Sequence, residues 1–190
     1  MTQRNANSTA VVCTVTRIVS GGQTGVDRAA LDAGLKAGVS IGGWCPKGRR
    51  SEAGVIPEQY PLTETGARSY AVRTEWNVRD SDATLVIVLD EISSGTKLTL
   101  AAARDQAKPF KVVHLRPSRA PGLFTTENPR NDQIQSVVDW LRDRRICVLN
   151  VAGPRGSSHT DVYSEALEFM SLLLKQILDQ DASDRQSEHR

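Results

Sequence analysis

The stretch Ile18-Val19-Ser20-Gly21-Gly22-Gln23-Thr24-Gly25-Val26-Asp27-Arg28 carries an apolar run into a glycine-rich turn and then into a helical pattern. Glycines let a backbone turn tightly and approach a ligand, and the first free N–H groups of the following helix point past the strand end. The guest such a turn expects is a phosphate or similar oxyanion. Glycine also serves turn geometry alone in many strand-to-helix connections, so the turn needs companions elsewhere in the chain.

Outward from this stretch, short β-branched apolar runs alternate with helical patterns, the signature of a parallel sheet covered on both faces. Strands are expected at 16–20, 39–42, 83–89, 110–115 and 146–151, of which 83–89, Ala-Thr-Leu-Val-Ile-Val-Leu, is the clearest. Helices are expected at 26–37, 97–107, 134–144 and 161–178 from the spacing of their apolar residues. The fold class is α/β, a single doubly wound parallel sheet of about five strands with helices on both faces. Its expected strand order is 2-1-3-4-5, the third strand beside the first, which puts the winding reversal between the two.

Three strand ends then carry small hydroxyl and glycine residues. The first strand runs into Gly21, Gly22, Gln23, Thr24 and Gly25, the third into Ser93, Ser94, Gly95 and Thr96, and the fifth into Gly153, Pro154, Arg155, Gly156 and Ser157. Carboxyl ends of parallel strands share one edge of the sheet, so the three loops can surround a single site. The segment 43–66, broken by Pro46, Gly48, Gly54, Pro57 and Pro61, reads as one long loop. Structureless loops above about 12–15 residues in a compact domain are usually functional or disordered. Trp44, Lys47, Gly48, Arg49, Arg50 and Tyr60 lie in it, and most are residue types that contact ligands. Arg49, Arg50, Arg73 and Arg155 are the cationic candidates, because a guanidinium fork donates two parallel charge-assisted bonds to an oxyanion. Arg73 and Asn77 stand four apart on a helix ending near Asp80 and share a side, with Trp76 as a packing anchor. Asp27 reads either as a complement to the helix dipole or as the orienter of a cationic ligand group.

Composition bounds the partners. A chain of 190 residues suits one domain, and a net charge of +2 forces neither a nucleic-acid groove nor a membrane patch. Residues 1–14 read as a disordered leader, 15–178 as the ligand-binding domain and 179–190 as a solvated tail. No run approaches the roughly 20 apolar residues of a membrane span. Cys13, Cys45 and Cys147 are widely spaced and odd in number, which fits a reducing, cytoplasmic setting. His114, His159 and His189 have no metal-ligand spacing, and no metal site is expected. Cys45 lies in the loop near cations that favour its thiolate, without a general base in view, and Cys147 reads as core.

Four blocks in order resemble the molybdenum cofactor carrier family: residues 21–32, 42–50, 73–82 and 150–155. The resemblance covers most of the chain from Arg17 to about Leu174. That family is similar to a wider Rossmann-like superfamily that includes the lysine decarboxylase-like nucleoside 5′-monophosphate phosphoribohydrolases. The resemblance implies a homo-oligomer, dimer or tetramer, that holds molybdenum cofactor through its phosphorylated pterin, with no catalytic residues assigned and with molybdoenzymes or cofactor-synthesis proteins as partners. The phosphate cradle would come from Gly21, Gly22, Gln23, Thr24 and Gly25, completed either by Ser94, Gly95 and Thr96 or by Gly153 to Ser157. In the phosphoribohydrolases a glutamate follows the glycine-threonine turn. Here Gly95-Thr96 is followed by Lys97, Leu98 and Thr99, which counts against glycosidic cleavage. A nucleotide-processing enzyme of that type and a nucleotide-sensing module without turnover are the alternatives.

Overall fold

In chain order the elements are β1 Arg17–Val19, α1 Val26–Ala37, β2 Ser40–Gly42, β3 Trp44–Cys45, β4 Arg50–Ser51, β5 Gly54–Val55, β6 Thr63–Glu64 and α2 Tyr70–Arg79. They continue with β7 Ala83–Val88, α3 Ser94–Asp105, β8 Phe110–His114, α4 Pro129–Asp143, β9 Val148–Ala152, a 3-10 turn Gly156–Ser158 and α5 Val162–Ser187. The structure, a computed structural model, describes residues 15–89, 91–115 and 129–187. The expected leader 1–14, with Cys13, and His189 lie outside the described residues.

Strand β7 explains the layering. All six of its residues are buried, and alternation sends Leu85 and Ile87 into the main core while Val86 and Val88 meet Leu100 of α3 on the other face. The main core gathers Ile18 of β1, Leu31 of α1, Leu149 of β9 and Phe169, Met170 and Leu173 of α5, all fully buried. Burying each such side chain contributes about 1.5–3 kcal/mol. Right-handed crossovers place α1 and α4 on one face and α2 and α3 on the other. The packing agrees, with α5 against α1 and α4, and α2 against α3.

The sheet is parallel, in the order β2-β1-β9-β7-β8. The expected order is therefore corrected: the last strand, β9, lies between the first strand and the strand at 83–88. Ile18 pairs with Leu149 and Leu85 with Val151 across its two edges. A buried polar pair marks the place, Asn150 Nδ2 donating to Thr84 Oγ1 at 3.1 Å. The loops after β1 and β7 thus flank the loop after β9, and all three still share one edge.

Two further expectations change. Segment 43–66 is organised: β3 pairs with β6 in parallel, and β4 and β5 form a hairpin in which Arg50 faces Val55. Residues 179–187 are no loose tail but the end of α5, where Asp181 is buried and Arg142 of α4 reaches Asp184 at 2.9 Å. Cys147, expected in the core, is half-buried and disulfide-bonded. Among the described residues no helix is long and apolar enough to cross a membrane.

Candidate site at the carboxyl edge of the sheet

The loops after β1 and β9 are fastened together. Gly25 takes φ +77, and a Cβ there would stand 2.5 Å from the Pro154 carbonyl oxygen and 2.8 Å from the Gly156 nitrogen. Only glycine permits both that backbone and that approach. Val26 N–H donates to the Pro154 carbonyl at 3.2 Å, and Gly156 N–H donates to Thr24 Oγ1 at 2.9 Å. On the other side a Cβ at Gly153 would meet the Ile87 carbonyl oxygen at 2.2 Å, so β9 also closes on β7.

Several donors of the first turn are engaged within the protein. Gln23 N–H donates to Asp27 Oδ2 at 3.2 Å, and Thr24 N–H donates to Gln23 Oε1 at 3.0 Å. Gly21 lies under the Arg73 guanidinium, its Cβ position only 1.5 Å from Nη1, and Gly22, at φ +72, faces Leu62 and Ile56. The glycines serve close internal packing. Arg73 Nη1 donates to Asp27 Oδ2 at 3.0 Å, both side chains largely shielded from water. Burial raises the Asp27 carboxyl above its ordinary range, against the opposing pull of Arg73, the Gln23 N–H and Ser20. Asp27 therefore orients a cation of this chain.

Glu52, which no motif announced, stands where an oxyanion was expected. Its carboxylate accepts from Ser157 N–H at 2.9 Å, from Ser157 Oγ at 2.6 Å and from the Thr24 hydroxyl, and Arg155 Nε lies 3.6 Å away. Its own N–H donates to Gln23 Oε1 at 2.9 Å. Partial burial works to raise its pKa, but the Ser157 and Thr24 hydroxyls, the Ser157 N–H and Arg155 together hold it below the ordinary value. Thr24, Arg155 and Ser157, expected as ligand contacts, thus converge on one carboxylate, while Gln23 holds the Glu52 backbone.

The remaining expected residues divide. Arg49 is spent inside its own segment: its guanidinium donates to the carbonyls of Ile56, Leu62, Pro57 and Tyr60 at 2.9–3.0 Å. Asn77 clasps the Trp44 backbone, accepting from its N–H at 2.7 Å and donating to its carbonyl at 3.0 Å. Trp44 stacks edge-on against Trp76, centroids 4.7 Å apart, and its indole N–H donates to Asp80 at 2.7 Å. Gly48 N–H donates to Glu64. Lys47 and Arg50 are exposed, and their side chains make no hydrogen bond or ion pair with another described residue. At the start of α3, Ser94 and Gly95 are exposed, while Thr96 is buried, its N–H taken by the Ser93 Oγ cap at 3.3 Å.

Cys45, expected in an exposed loop, is completely buried, and burial pushes its thiol up despite Arg49 and Arg73. An activated thiolate is thereby ruled against. Among the described residues no cluster of three or more His, Cys, Asp or Glu could hold a metal ion. A cleft of about 420 Å³ between α4 and α5 and another of about 750 Å³ along α4 contain none of the loop residues above. Neither brings small hydroxyl and glycine loops together as the carboxyl edge does.

A parallel sheet wound in both directions, with its loops meeting at the carboxyl edge around the reversal, defines a Rossmann-like domain. Residues 18–174 match the circularly permutated YpsA SLOG family, and the chain belongs to that family. Permutation accounts for the strand order: traced from β9 through β1 to β2 and then from β7 to β8, the sheet has the doubly wound order 3-2-1-4-5. The chain is similar to a protein from Syntrophus aciditrophicus whose crystal structure bears the name putative molybdenum carrier protein. The identity is 37% with a TM-score of 0.76, over 85% of this chain and 96% of that one. No curated protein matches the chain.

Proposed function

We propose that this protein binds and carries molybdenum cofactor or a closely related phosphorylated pterin, seating the phosphate at the carboxyl edge between the loops after β1, β9 and β7. The observation that carries this is the donor set around the Glu52 carboxylate: one N–H, two hydroxyls and one guanidinium, converging from two loops. Such a set suits a phosphate oxygen face as well as it suits a carboxylate. Exposed Ser94 and Gly95 at the start of α3 add a helix N-terminus next to the same edge. The carrier name of the Syntrophus protein supports the same reading.

The residues after Gly95-Thr96 favour carriage over turnover. Lys97, Leu98 and Thr99 stand where phosphoribohydrolase relatives carry their glutamate. The test is native mass spectrometry of the protein purified from cells that make the cofactor. A bound mass equal to the phosphorylated pterin, with or without metal, is the expected outcome. Release of free base from nucleoside monophosphates by the same preparation would instead establish the enzyme.

A further inference from the structure

We propose that Glu52 is a built-in competitor for this site: its carboxylate occupies the oxyanion seat, and a phosphate group enters by displacing it together with the β4–β5 hairpin. The inference rests on the phosphate-binding reading and adds its regulation. The donors, Thr24, Arg155 and Ser157, belong to loops locked to the sheet by the Gly25 and Gly153 contacts. The acceptor belongs to a hairpin hung outside it.

That hairpin is built to lift. Each of its strands is two residues long, residues 52–55 are exposed, and Val55 is 71% exposed, so almost no apolar burial holds it down. Its ties to the α1 side are the Glu52 contacts themselves, including the N–H to Gln23, and one bond from Arg28 Nη2 to Ser51 Oγ at 3.3 Å. Its base, by contrast, is fixed. Ile56 N–H donates to the Arg49 carbonyl at 2.7 Å, and the Arg49 guanidinium is bound to four further carbonyls. Residues 50–55 therefore form a flap on a rigid frame.

A tethered carboxylate competes at a high effective concentration, in the millimolar range for short connections. The apparent affinity for an incoming anion falls by the fraction of molecules in which the seat is open. A phosphate brings about −1.5 to −2 charges against the single charge of Glu52, so it wins the seat at sufficient concentration.

The experiment is calorimetric titration of the wild-type protein, Glu52→Gln, Glu52→Ala and the control Glu58→Gln with inorganic phosphate and pyrophosphate. Glu58 is exposed on the same segment and controls for net charge. Both Glu52 variants are expected to bind at least about tenfold more tightly than wild type, with Glu58→Gln unchanged. Hydrogen exchange on the wild-type protein supplies a second reading. Saturating phosphate should speed exchange at 50–55 and leave 43–49 and 56–66 unaltered. Equal affinity in wild type and a folded Glu52 variant, or an unmoved hairpin at saturation, overturns the role of Glu52 while leaving phosphate binding intact. No phosphate binding by any of the four proteins overturns both.

Discussion

The strands β7 and β9 and the segment 43–66 are held by opposite means. The strands are fixed by burial: of Ala83–Val88 every residue is buried, and Leu149 and Val151 of β9 are fully buried. The segment is fixed by directed hydrogen bonds, above all the four carbonyl bonds of Arg49 and the two-way clasp of Asn77 on Trp44. Burial tolerates changes of side chain that keep volume, whereas a bonded scaffold depends on single residues whose loss leaves several acceptors unmet. The candidate site draws on both, with Ser157 from the loop after β9 and Glu52 from the segment.

The largest effect is expected inside the buried framework, where backbone meets backbone. Gly153→Val puts a side chain where a Cβ alone already stands 2.2 Å from the Ile87 carbonyl and 2.6 Å from Val26. Neither β7 nor β9 can give way without losing ladder bonds. A loss above about 4 kcal/mol is expected, read as collapse of the urea midpoint. A variant of near wild-type stability would show that the two strands are less tightly coupled than the contact implies.

Arg49→Ala should act on one region only. Four carbonyls lose a charged donor, and part of that loss is recovered by water at the exposed positions, so about 2–3 kcal/mol is expected, confined to the segment. Amide exchange is the measurement: protection should fall across 43–66 and persist in β7 and β9. Uniform loss in both regions would mean that the segment and the sheet unfold as one unit.

This contrast also explains what was legible in the sequence. The run 83–88 is long, β-branched and bounded by turn residues, so its strand is readable, and the α1 pattern from Val26 to Ala37 is readable by its period and its following glycine. The central place of β9 was not, because a run such as Val148–Ala152 looks the same at the middle of a sheet as at its edge. Strand order is set by which way each helix crosses, and a permuted chain end reverses the expected neighbour. Within segment 43–66 the strands are two residues long and carry no period, and the organising Arg49 reads from sequence as a cation seeking a ligand. Thr24, Arg155 and Ser157, which meet at Glu52, were picked out by glycine, hydroxyl and arginine patterns. Glu52 was not, because a lone acid between Ser51 and Ala53 has no signature until the hairpin folds it onto the site.

A link between the segment and the helical framework is smaller in effect and depends on pH. Tyr60 of the segment and Tyr163 of α5 both donate to Asp32 of α1, at 2.9 and 2.7 Å, so one carboxylate staples the hydrogen-bonded segment and the buried framework to the same helix. Burial, then the hydrogen bond and charge of Asp32, push the Tyr163 phenol up to about 12 from 10.0. The folded protein thus holds this proton more tightly than the unfolded chain does. Its contribution is complete below pH 10 and is lost as the pH rises through about 12. Tyr163→Phe should cost about 0.5–1 kcal/mol at neutral pH, at the low end because Tyr163 is 38% exposed and water screens the pair. The difference in unfolding free energy between wild type and Tyr163→Phe, measured from pH 7 to 12, should stay level to pH 10 and then shrink. A gap that widened above pH 10 would mean that Asp32 does not hold the phenol in its neutral form and that the staple between the two regions rests on Tyr60 alone.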